Sequence, residues 1–172
     1  DTMTRLEPVF LANVLLYINT PTDIVTFLTI SKKCHLATTM VKTNPACTKT
    51  LSVNTILTLF PNTNTLHIES LQQFRLIPSL PAPVTRIVID RFIQKEDTSH
   101  HFIQFLQHVV SIKRPVEAFE DQTIDFSPFS SLESLRLEIY YGSFIFPEHP
   151  LKYLYLYGDN TVEHDITVVT PD

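Results

Sequence analysis

Seven histidines and two cysteines are the residues of this chain best suited to chemistry. His100, His101 and His108 fall close together, and His101 and His108 lie two turns apart on one face if the segment is helical. A zinc site needs three or four converging ligands, and neither His-Glu-x-x-His nor Cys-x-x-Cys accompanies these residues. The nearest acids, Glu96 and Asp97, precede the expected helix cap at Ser99. The histidines therefore read as surface or capping residues, and no metal is assigned to them. Cys34 has His35 beside it, but neighbouring residues on a helix point in different directions. A nucleophile needs a base within hydrogen-bond reach and a third group to orient that base, so Cys34 reads as a small core hydrophobe. Carboxylates abound after residue 115, yet spacing alone singles out no acid–base pair among them. No catalytic constellation and no cofactor is expected, and the chain reads as a non-enzymatic protein-interaction module.

Composition narrows the alternatives. The 172 residues are 44% hydrophobic and 18% charged, enough to bury a core in one domain or in one domain with a small appendage. Only 2 residues are glycine, where average usage would give roughly 12. Phosphate cradles need glycine for close backbone approach, so nucleotide-binding loops are excluded. The net charge of −5 is unevenly spread. Residues 1–23 carry −2, residues 24–68 carry +4 with no acid at all, residues 69–114 carry +2 and residues 115–172 carry −9. An acidic C-terminal half repels phosphate backbones, so no nucleic acid is expected as partner. The same acidic half predicts a preference for basic partners, and the +4 stretch either meets an acidic partner or is a solvated helix face.

Two lone cysteines, Cys34 and Cys47, build no disulfide framework, and no Asn-x-Ser/Thr acceptor occurs. A reducing compartment, cytoplasmic or nuclear, is the expectation. The opening residues lack the apolar stretch of a signal peptide, and the longest charge-free run, residues 50–68, is too rich in Thr and Asn to span a bilayer, so no membrane association is expected. The chain opens on Asp1 and not on Met, and is expected to be processed, tagged or cut from something longer.

Such a module must be positioned by its elements. Residues 8–44 predict three short helices. The first spans about Pro8 to Ile18, with Phe10, Leu11, Val14, Leu15 and Ile18 at helical spacing. The second is capped by Thr20 with Pro21 at its first position and Asp23 at its third, and Ser31 caps the third. Beyond Pro45 the period changes to short apolar pairs two apart: Leu51-x-Val53-x-x-Ile56, Leu66-x-Ile68-x-x-Leu71 and Ile87-x-Ile89-x-x-Phe92. Two fuller strings, Leu132, Leu135, Leu137 and Leu151, Leu154, Leu156, follow, with room for another unit around Val116 to Phe119. An amphipathic helix is expected through Phe102, Ile103, Leu106, Val109 and Val110, and a one- or two-turn helix between Asn54 and Pro61. Strands recurring at steps near twenty residues indicate a solenoid.

The string from Leu6 to Cys34 resembles an F-box: Leu6 with Pro8 close behind, an apolar helix ending in Leu15-x-Tyr17-Ile18, Asp23-Ile24 after a short turn, and Ile30-Ser31-Lys32. It departs from that family in carrying Glu7 between Leu6 and Pro8, and Cys34 where the family has an aromatic residue. The rest resembles leucine-rich repeats. The resemblance implies an α/β fold in two parts: a three-helix F-box-like segment over residues 5–44, docked on an irregular leucine-rich-repeat solenoid with a parallel sheet over residues 45–172. It implies a substrate receptor whose helices dock a Skp1-like adaptor through Leu6, Pro8, Leu11, Leu15, Ile18, Asp23 and Ile24, and whose repeats select a target protein. The alternative is a leucine-rich-repeat scaffold with no ubiquitin-ligase role, its helices only capping the open solenoid end.

The period-2 rule locates the expected receptor face on the residues between the core leucines. These are Thr50, Ser52 and Asn54, then Thr65, His67 and Glu69, then Arg86, Val88 and Asp90, then Ser134, Arg136 and Glu138, and last Tyr153, Tyr155 and Tyr157. His67, Glu69, Arg86, Asp90, Arg136, Glu138 and the three tyrosines are the candidate target-binding residues, with the tyrosines and Arg136 at the centre, because tyrosine and arginine concentrate in binding hot spots. Apart from such partners the chain is expected to be a monomer.

Overall fold

A computed structural model describes residues 7–93, 100–114, 116–118, 122–139 and 143–158. The chain divides into two compact units, residues 1–68 with 81–85 and residues 69–80 with 86–172. Residues 65–68, the first strand, fall in the same unit as the helices.

The first unit opens with three helices: α1 (Pro8–Leu16), α2 (Pro21–Ile30) and α3 (Lys32–Met40). Local chemistry places their starts. Thr20 accepts the Asp23 N–H at 3.1 Å while its own hydroxyl donates to the Asp23 carboxylate at 2.7 Å, and Pro21 occupies the first turn. Ser31 accepts the Cys34 N–H at 3.2 Å and so both ends α2 and starts α3. Helices α1 and α2 both pack on α3, burying Ala12, Leu15, Ile24, Phe27, Cys34 and Ala37. A 3-10 turn at Ala46–Thr48, helix α4 (Val53–Leu59) and strand β1 (Thr65–Ile68) complete the unit.

Helix α4 corrects one sequence expectation. Leu51-x-Val53-x-x-Ile56 is not a strand: Ser52 accepts the Thr55 N–H at 3.2 Å and starts a helix that buries Val53 and Ile56. Residues three apart share a helix face as well as they fit an interrupted strand, and the cap decides between the two. Thr50, Ser52 and Asn54 consequently lie on no strand. The short helix expected between Asn54 and Pro61 is this α4.

Buried Asn44 ties β1 to the chain before it. Its amide donates to the His67 carbonyl and to Thr48 Oγ1, each at 2.8 Å, and its Oδ1 accepts the His67 N–H at 2.7 Å. The side chain thus reproduces the bonding of a neighbouring strand at the point where Thr43 bridges Thr65. Asn44→Ala removes both main-chain bonds to His67 at once and is expected to cost about 2–3 kcal/mol, the desolvation of stranded polar groups. A lower denaturation midpoint at unchanged slope is the measurement.

The second unit is a parallel sheet. Strands β2 (Arg86–Ile89), β3 (Val109–Ile112), β4 (Val116–Ala118), β6 (Ser134–Ile139) and β8 (Tyr153–Gly158) take part, and β5 (Thr123–Asp125) pairs in parallel with β7 (Ser143–Ile145) in a separate small sheet. Ile87 lies opposite Val109, Ser111 opposite Ser134, and Ser134 opposite Tyr153. Each lateral step therefore consumes roughly twenty residues, as expected of a solenoid, in which parallel neighbours need a crossover between them. Strands β3 and β4 lie end to end along one edge of β6, and β8 takes the other edge. Mixed helix and parallel sheet in a solenoid-like arrangement is the observed class.

Inside this unit Ile87, Ile89, Val109, Ile112, Leu135 and Leu137 are buried. The unit also holds phenylalanines in ring contact, in two groups. Phe92 meets Phe129 edge-on at 5.3 Å, Phe126 lies 5.7 Å from Phe129 and 6.4 Å from Phe144, and Phe74 stacks on Phe105 at 4.5 Å. The helix expected through Val110 is corrected: α5 covers only Ile103–Leu106, and Val109 and Val110 belong to β3. Among the described residues no side chain caps α5, and the branched run Val109-Val110-Ser111-Ile112 favours a strand. The expected cap, Ser99, lies outside the described residues.

Candidate functional site

The first unit presents an apolar helical surface. Helix α1 carries a single polar residue, exposed Asn13, among eight apolar ones. Ala12 and Leu15 face the core, while Val9, Phe10 and Val14 are exposed, Phe10 at 57% and Val14 at 49%. Tyr17, Val25, Ile30, Leu36 and Met40 are also exposed on the same three-helix segment. A shallow groove of about 630 Å³ between α2 and α3 is lined by Leu28, Thr29, Ser31, Lys32, His35, Leu36 and Thr39. Lys33 pairs with Glu7 at 3.1 Å, joining the start of α1 to α3 in an exposed ion pair.

The residues singled out for adaptor contact are distributed differently from the expectation. Leu15 and Ile24 are fully buried, because α1 and α2 use those positions to pack on α3, and no partner reaches them. Pro8, Leu11 and Ile18 are half-buried. Asp23 is exposed but engaged by Thr20 in the α2 cap. Leu6 lies outside the described residues. The exposed apolar residues are instead their sequence neighbours Val9, Phe10, Val14 and Val25, one position away around the helix. Helical spacing alone could not choose between the two sets, since both carry an apolar stripe.

The second unit presents a polar and aromatic sheet face. Arg136 lies opposite Tyr155 across β6 and β8, and its guanidinium sits 5.1 Å from the tyrosine ring centre, a cation–π pair. Tyr153 lies beside Ser134 and Tyr157 beside Glu138. Tyr153 is 58% exposed, and Tyr155 and Tyr157 are exposed too. This part of the expected receptor face is brought together.

Elsewhere on that face ion pairs claim the candidates. Arg86 bonds Glu133 at 3.1 Å, and Lys152 reaches the other oxygen of Glu133 at 3.3 Å. Asp90 pairs with Arg114 at 2.7 Å. Glu69 engages Gln73 and Arg91 through its main chain, and Glu138 is half-buried. His67 belongs to the first unit, where it is half-buried and bonded through its main chain to Asn44.

The Arg86 hydrogen bond, with Lys152 alongside, holds the Glu133 carboxyl below the usual glutamate range. A carboxyl held low in the folded chain stabilises it above the unfolded pKa, and that contribution fades as pH falls through the folded one. Thermal unfolding followed downward in pH is expected to show a small extra loss beginning below about 4.5, the ordinary glutamate value. The Glu133→Gln variant should lack that component of the acid limb. The effect is small because the bridge is exposed and solvent-screened.

The chemistry-bearing residues fall out differently. Cys34 is buried with its sulfur 3.3 Å from Ser31 Oγ, while His35 is exposed, so the pair does not converge. Burial pushes the half-buried Cys47 thiol up, away from thiolate reactivity. His101 contacts the Phe74 carbonyl at 3.1 Å and His108 the Gln107 amide at 3.3 Å, the two separated by the short span of α5. Among the described residues no three His, Cys, Asp or Glu side chains are placed to hold a metal ion, and no helix is long and apolar enough to cross a membrane. No known family, curated protein or solved structure matches the chain.

Proposed function

We propose that this chain is a non-enzymatic protein-recognition module, an F-box-like substrate receptor whose helices dock a Skp1-like adaptor and whose leucine-rich-repeat-like sheet face takes a target protein. The observation that carries the adaptor half is the second apolar side of α1 and α2: Val9, Phe10, Val14, Tyr17 and Val25 remain exposed after the unit has filled its own core with Leu15, Ile24 and Phe27. A surface helix normally turns a polar face to water, and exposed apolar clusters mark interaction sites. Residues 24–68, all +4 and no acid, suit an adaptor with an acidic rim. Tyr153, Tyr155, Tyr157 and Arg136 support the target half through exposure, size and hot-spot chemistry.

A second reading keeps the repeats and gives the helices only the role of covering the open solenoid end, which exposes apolar surface unless it is capped. Co-expression with a Skp1-like adaptor separates the two readings. A complex that survives size-exclusion chromatography supports the receptor, and separate elution of the two proteins supports the cap.

A further inference from the structure

We propose that β8 is a dimerisation edge, on which a second copy of this chain adds its own β8 in antiparallel register about a two-fold axis at Tyr155. Strand β8 pairs with β6 along one edge, and among the described residues no strand takes the other. Both of its faces are open: Leu154 and Leu156, which continue the rows of buried Leu135 and Leu137, stand 42% and 46% exposed. An unpaired edge with apolar residues on both faces is a template for strand addition.

The sequence of the strand names the occupant. Tyr153-Leu154-Tyr155-Leu156-Tyr157 reads the same in both directions. Antiparallel pairing about Tyr155 therefore sets Tyr153 against Tyr157, Leu154 against Leu156 and Tyr155 against itself, with like side chains matched on each face. No charged residue falls within the paired stretch, so the two copies bring no like charges into opposition.

Hydrogen-bond parity agrees with this register. The Tyr153 N–H donates to the Glu133 carbonyl at 2.9 Å, so Tyr153 turns its main-chain groups toward β6. By alternation Tyr155 and Tyr157 do likewise, and Leu154 and Leu156 turn theirs to the outer edge. In the palindromic register Leu154 of one copy meets Leu156 of the other as a hydrogen-bonded pair, and Tyr155 meets its copy as the closer, non-bonded pair. The four leucines would extend one face of the sheet and the six tyrosines the other. The interface is isologous and closed, as a two-fold dimer requires. The inference does not rest on the adaptor reading, because it uses only the second unit.

Sedimentation of the full chain over a dilution series is expected to show a dimer that dissociates to monomer. The double variant Leu154→Lys with Leu156→Lys sets lysine against lysine across the axis and should weaken the dimer by about tenfold or more, while circular dichroism keeps the native spectrum. Cysteine probes in a Cys47→Ser background test the register directly. Tyr155→Cys should form an intermolecular disulfide on mild oxidation, because the non-bonded pair sets Cα atoms about 4.5 Å apart, within disulfide range. Tyr153→Cys should not, because it faces Tyr157 and not itself. A monomer at every concentration, including one whose edge is filled by residues 159–172 of the same chain, overturns the proposal. So does a dimer that survives the double lysine variant, or one in which Tyr153→Cys cross-links as readily as Tyr155→Cys.

Discussion

Replacing Phe129 with alanine is expected to lower the free energy of unfolding by about 3–5 kcal/mol. Phe129 is fully buried, meets Phe92 edge-on at 5.3 Å and lies 5.7 Å from Phe126. Truncation removes the transfer free energy of a whole ring and opens a cavity against two further rings that are held by their own backbones. Domain stabilities are of order 5–15 kcal/mol, so the variant should sit near its unfolding midpoint at moderate temperature. Phe129→Leu should recover much of the loss, since it refills most of the volume. Equilibrium denaturation of the three proteins is the measurement. A Phe129→Ala midpoint within error of the parent would mean that the cluster does not carry the unit's core.

The second large effect tests the adaptor binding proposed above. Val14→Asp is expected to reduce affinity for a Skp1-like adaptor by a hundredfold or more, equivalent to roughly 2.7 kcal/mol, while shifting thermal stability by only about a degree or two. Val14 is 49% exposed on α1, so in the free chain the carboxylate can stay in water. In a complex it would be buried without a partner, which is costly. The neighbouring substitution Leu15→Asp makes the internal control. Leu15 is fully buried, and a charge there should unfold the first unit whether or not an adaptor is present. Calorimetric titration and thermal melts of both variants read the contrast. If Val14→Asp melts like Leu15→Asp, or binds as the parent does, the exposed side of α1 is not the docking surface.

That contrast between adjacent residues shows where sequence reading reaches its limit. The starts of α2 and α3 were legible because a cap is local chemistry: a Thr or Ser hydroxyl, the N–H three residues on, and a proline that tolerates only the first turn. The strands β1, β2, β6 and β8 were legible because apolar residues two apart on a short run suit a half-buried strand. Strand β3 was missed because Val109 and Val110 also complete a helical stripe from Phe102. Helix α4 was missed as the fate of Leu51 to Ile56 because one Ser hydroxyl outweighed the strand pattern.

Of the candidate surfaces, the Arg136–Tyr155 pair followed from strand register, which the alternating leucines already specify. Arg86 and Asp90 did not follow, because ion pairs with Glu133 and Arg114 join residues distant in sequence that only the stacked strands bring within 4 Å. The amino-acid sequence by itself determined a module of short capped helices followed by parallel strands at solenoid spacing, through local bonding and apolar periodicity. Only the tertiary structure decided which side of each apolar element is covered. Helix α1 has apolar residues around most of its circumference and strand β8 alternates leucine with tyrosine, so neither pattern names the side to be covered. The packing of α1 on α3 buries Leu15 and leaves Val14 in water, and the position of β8 at the end of the described sheet leaves Leu154 and Leu156 exposed beside a buried Leu135 and Leu137.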